Sequence, residues 1–136
     1  MAAEDVTAEE MGEFNPTQWE AEAVGKQGFS HLQIPGHQKA STSQYYAFGQ
    51  LEFIYYAQED SIYFKRVDKL KAKDKKFEEV EISGFPAVVF SKKRVIADIE
   101  GEILAYLECY TCESSEDLVA KFQELDLAGL KGLLEQ

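Results

Sequence analysis

Two histidines, two cysteines, three prolines and one tryptophan among 136 residues limit what this chain can build. A tetrahedral zinc site of two cysteines and two histidines could be completed only by Cys109, Cys112, His31 and His37, because no other cysteine or histidine exists. No apolar run nears the roughly eighteen residues that cross a bilayer; the longest, Pro86-Ala87-Val88-Val89-Phe90, ends in charge. No membrane crossing is expected. Also missing are a phosphate-cradling glycine loop, the HExxH and GxSxG motifs, and a histidine with nucleophile partners, so an enzyme is disfavoured and no cofactor is implied. The first ten residues, Met1 to Glu10, lack the basic and apolar regions of a signal peptide. That points to the cytoplasm, with export after removal of a leader as the alternative.

Positive charge is scarce as well, with 14 Lys and Arg against 25 Asp and Glu and a net charge of −11. Residues 1–25 hold seven acids and no base, residues 26–94 hold twelve bases and eight acids, and residues 95–136 hold ten acids and two bases. Overall negative charge opposes nucleic acid and anionic membrane before any local patch can act.

What is present suffices for one domain. Hydrophobic residues make up 45% and aromatic residues 12%, ample for a single two-layer core at this length. Residues 1–12 are expected to fray, although Thr7 to Glu10 carries a weak capping-box pattern. Asn15, Pro16 and Gln18 predict a short helix over 16–24, anchored by Trp19. Residues 30–44 read as a loop around Pro35-Gly36, which leaves 13–44 as short helix and loop.

The apolar period then becomes two. Over 45–57, Leu51, Phe53 and Tyr55 fall on one face and Glu52, Ile54 and Tyr56 on the other. Residues 62–67, 77–82, 85–90, 94–99 and 102–109 follow as strands with turns at 58–61, Ser83-Gly84, 91–93 and Glu100-Gly101. Pro86 lacks an amide donor, so its strand should lie at an edge or bulge there. The tail over 114–134 is helical: Ser114 caps Leu118, Val119, Phe122 and Leu125, and Leu127, Leu130, Leu133 and Leu134 follow despite Gly129 and Gly132. The expected fold is α+β, an antiparallel meander of about six strands over 45–109, with the short helix and the tail on one face.

Several residue groups could carry function. Apolar groups on both sides of the longest strand suggest a second face left open for a protein partner or a homodimer, with Ile54, Tyr56, Tyr46 and Tyr63 as its surface. The same tyrosines, with Tyr45 and Tyr55, could instead line a small-ligand pocket, though strand aromatics more often pack a sheet. Cys109-Tyr110-Thr111-Cys112 forms a CxxC between strand and helix, where helix amides can stabilise a thiolate for redox chemistry. Glu108 and Glu113 flank it and oppose that activation. Burial of Cys109 as an ordinary strand residue is the plainer alternative. Lys69, Lys71 and Lys73 with Lys92, Lys93 and Arg94 could dock an acidic group, or simply be solvated turns that offset the acidic ends.

Overall fold

The computed structural model describes residues 6–22, 38–56, 77–90 and 93–135. Helix α1, Ala8–Gly12, is closed by a reciprocal capping box in which the Thr7 hydroxyl accepts from the Glu10 amide and the Glu10 carboxylate accepts from the Thr7 amide. Val6 and Met11 are buried in the main core. The fraying expected of residues 1–12 is therefore corrected for 6–12, because two apolar side chains anchor a helix that its five residues could not sustain alone.

The helix expected over 16–24 is not formed in its described part. After a hydrogen-bonded turn from Pro16 to Trp19, Ala21–Glu22 runs as a two-residue strand, β1, opposite Tyr46 and Tyr45. Trp19 does anchor the segment, as expected, but from a turn. Residues 38–44 correct the loop reading. They belong to strand β2, Gln38–Tyr46, which pairs with β3, Gly49–Tyr56. Along β2, exposed Lys39, Ser41 and Ser43 alternate with half-buried Ala40, Thr42 and Gln44. The burial has period two while the hydrophobicity does not, and pairing with β3 overrides weak strand propensity. Ala47-Phe48 turns the chain inside what looked like one long strand. The expected 58–61 turn and 62–67 strand lie outside the described residues.

The next four strands fall where their periodicity puts them: β4 Phe77–Ile82, β5 Phe85–Phe90, β6 Arg94–Ile99 and β7 Ile103–Cys109. Ser83-Gly84 and Glu100-Gly101 join them with both residues of each pair at positive φ, as tight hairpins require. Pro86 lies beyond the four β5–β6 pairs, so its missing amide removes no bond from that ladder. The sheet order is β1-β2-β3-β7-β6-β5-β4, antiparallel throughout. It is not one continuous meander, since β7 closes against β3 while β4 lies at the far side.

Two helices end the described chain, α2 Ser115–Phe122 and α3 Leu127–Leu134, capped by Ser114 and Asp126. Leu118, Phe122, Leu127 and Leu130 join Leu51, Phe53, Ala97, Ala105 and Leu107 in one core on the first sheet face. Each of the leucine and phenylalanine side chains contributes about 1.5–3 kcal/mol by leaving water. The fold class is α+β, as its sequence pattern implies.

The second face carries its own cluster of Ile54, Val88, Phe90, Ile96, Leu104 and Tyr106. Ile54 is 1% exposed. The face expected to be open is thus covered at Ile54, Ile96 and Leu104 along the central strands.

Candidate functional site

Strand β7 carries Cys109 into the first-face core, and two residues later the chain turns back to place Cys112 just before the Ser114 cap of α2. Cys109 and Cys112 form a disulfide across three positions of sequence. Cys109 is fully buried and Cys112 is 7% exposed, while Tyr110 and Thr111 between them face solvent. Both cysteines belong to the first-face core, and Cys112 is the less deeply buried of the two.

Two neighbouring turns hold this loop. The Tyr110 amide donates to the Phe48 carbonyl at 2.6 Å, and the Cys109 amide donates to the Lys93 carbonyl at 2.7 Å. The Lys93 ammonium reaches the carbonyls of Tyr110 at 2.9 Å and Cys112 at 3.1 Å. Lys93 therefore grips the loop through both its backbone and its side chain. Gly49 passes so close to the Glu108 carbonyl that a Cβ would collide with it, so the β2–β3 turn can approach β7 only as glycine.

Sequence proximity suggested that Glu108 would act on the thiols. Strand alternation decides otherwise, because neighbours in a strand point to opposite faces. Cys109 is in the first core, whereas Glu108 lies beside Tyr106 and Arg94 on the second face. The first turn of α2 is also occupied, since the Ser114 hydroxyl accepts from the Asp117 amide and Glu116 and Asp117 bring two acids. Less positive potential remains for a thiolate at Cys112 than at a bare helix start.

Trp19 meets Phe48 edge-on at 5.1 Å and Tyr46 edge-on at 5.2 Å, while Tyr46 and Phe48 stack. The Lys121 ammonium sits 4.0 Å from the Phe48 ring centre and 5.2 Å from that of Trp19. The Trp19 indole donates to Glu124. Tyr46 is 1% exposed, and its hydroxyl has no hydrogen-bond partner among the described residues. Burial pushes its phenol up to about 12.

The second face holds polar groups that periodicity did not single out as a set. Gln50, Glu52, Asp98 and Glu108 are all buried. Gln50 donates to Glu52, the Tyr106 hydroxyl donates to Glu108 at 3.1 Å, and Arg94 lies 3.7 Å from the same carboxylate. Burial, with Glu108 and Glu52 adding negative potential, drives the Tyr106 phenol well above its usual range. The register assembles this group by setting Gln50 opposite Glu108, Glu52 opposite Tyr106, and Glu108 opposite Arg94. One signal was legible: Gln50 and Glu52 alternate within an otherwise apolar strand. Their partners on β6 and β7 could not be read without the sheet order.

Of the other expected site residues, His31, His37, Tyr63, Lys69, Lys71, Lys73 and Lys92 lie outside the described residues, as does the side chain of Tyr56. With Cys109 and Cys112 joined, neither sulfur is the thiolate that a zinc site needs. Among the described residues no group of three or more His, Cys, Asp and Glu is placed to hold a metal ion. No helix of the described residues is long and apolar enough to cross a membrane. Of the basic patch, Lys93 binds backbone carbonyls and Arg94 faces Glu108, so both are engaged within the fold. Comparison with protein-family models, curated proteins and solved structures gives no match.

Proposed function

We propose that this chain is a redox-responsive domain rather than an oxidoreductase, with Cys109 and Cys112 acting as a reversible latch between the sheet and α2. The supporting observation is the disulfide that ties the end of β7 to the segment leading into α2, with Cys112 the less deeply buried partner. A bridge across so short a loop constrains the unfolded chain by only about 2 kcal/mol, so the fold can outlast its reduction. The filled cap of α2 argues against an activated, rapidly exchanging thiolate and for a slow switch.

An external thiolate attacks Cys112 Sγ, the Cys109–Cys112 bond breaks, and its electron pair leaves on Cys109 Sγ, which takes up a proton. A second thiol attacks the external sulfur of the mixed disulfide and releases Cys112 as a thiol. Two external thiols become one disulfide, and the protein gains two electrons and two protons. In a reducing cytosol the open dithiol is the resting form, and oxidation closes it.

The test is equilibration in glutathione redox buffers, followed by alkylation of free thiols, with folding monitored by circular dichroism. Support is a reversible two-electron transition in a chain that stays folded. A midpoint below about −300 mV would mark a permanent staple, and unfolding on reduction would equally remove the reading.

A further inference from the structure

From the contacts around the CxxC loop we infer that Lys93 is a positioning residue for the latch, setting the closing equilibrium by pre-ordering the segment that carries Cys112. The inference rests on the reversible-latch reading above. Disulfide formation requires two sulfurs to meet, so whatever orders the reduced loop in its closed shape reduces the entropy lost on closure. Cys109 is already fixed by β7 and the core. Cys112 is the sulfur whose approach must be secured, because it follows two solvent-facing residues.

Lys93 is placed to secure it. Its backbone carbonyl accepts from the Cys109 amide, and its ammonium donates to the carbonyls of Tyr110 and Cys112, so one residue spans both ends of the motif. Lys93 immediately precedes β6, whose first residue, Arg94, pairs with both Phe90 and Glu108. The ammonium thus extends from the start of β6 to the loop that carries Cys112. The clamp contacts backbone carbonyls and uses neither the Tyr110 nor the Thr111 side chain. Arginine could reach the same oxygens, whereas methionine keeps the stem and loses the donors.

The experiment measures the equilibrium constant between glutathione and the Cys109–Cys112 pair in the full chain for wild type, Lys93→Met, Lys93→Gln and Lys93→Arg. Urea unfolding of each reduced and oxidised form is measured alongside. Both donor-deleting variants are expected to shift the constant toward the dithiol on the order of tenfold, reflecting two charge-assisted hydrogen bonds, one exposed and one part-buried. The arginine variant should recover most of the loss. If wild type cycles reversibly and either folded donor-deleting variant keeps its equilibrium constant, the role of Lys93 is wrong while the latch reading stands. If wild type itself does not cycle, the latch reading fails and takes this inference with it. Equal destabilisation of both redox forms, with an unmoved constant, identifies a merely structural lysine and also overturns the proposal.

Discussion

Replacing Glu108 tests whether the polar group inside the second face acts as a unit. Its carboxylate accepts from the Tyr106 hydroxyl at 3.1 Å within a buried environment. A hydrogen bond to a charged acceptor is worth about 1.5–3 kcal/mol. Arg94 adds less, because it stands 3.7 Å away with its side chain 35% exposed, and solvent screening holds such a pair to under about 1 kcal/mol. Glu108→Gln keeps the shape and one acceptor but removes the charge, so a loss of about 1–2 kcal/mol is expected. Tyr106→Phe removes the donor and should cost a similar amount. Combined, they should cost less than the sum of the two, with a coupling of about 1.5 kcal/mol. The assay is equilibrium urea unfolding followed by the fluorescence of Trp19, the only tryptophan. Additive single-variant losses, with coupling under about 0.5 kcal/mol, would refute the interaction.

Gly49→Ala should cost more than about 4 kcal/mol or abolish folding, since the obstructing atom is a backbone carbonyl; a soluble variant with near-native melting would contradict that close approach. Ser114→Ala should lower stability by about 1 kcal/mol in urea unfolding through loss of the bond to the Asp117 amide, and Ser114→Asp should restore most of it. Tyr46→Phe should leave stability unchanged or raise it by about 1 kcal/mol, because it removes a buried hydroxyl with no described partner; a marked loss would indicate otherwise. The Tyr46 phenol is raised in the folded state from 10.0 to about 12, so its contribution is intact below pH 10 and is lost as pH climbs toward 12. The slope reaches about 1.4 kcal/mol per pH unit for one such group. Urea unfolding across that range should show a shallower decline in the phenylalanine variant.

Local patterning alone determined the strands from Phe77 to Cys109, the hairpin turns at Ser83-Gly84 and Glu100-Gly101, and both C-terminal helices with the Ser114 cap. Each is written in signals a few residues apart: alternation, a glycine in each turn, and a capping hydroxyl ahead of an apolar stripe. The α1 capping box was equally local, but its survival depended on the distant core that receives Val6 and Met11. Polar β2 became a strand because β3 offered a partner, and Trp19 became an anchor without a helix because Tyr46 and Phe48 gave it a place to pack.

The candidate site divides in the same way. The CxxC spacing was visible, but only the sheet order brought Phe48 and Lys93 to it and turned Glu108 away to the other face. Whether Ile54 would meet solvent also depended on tertiary structure. Alternation assigns a residue to a side of a strand, and only the packed molecule decides whether that side is covered.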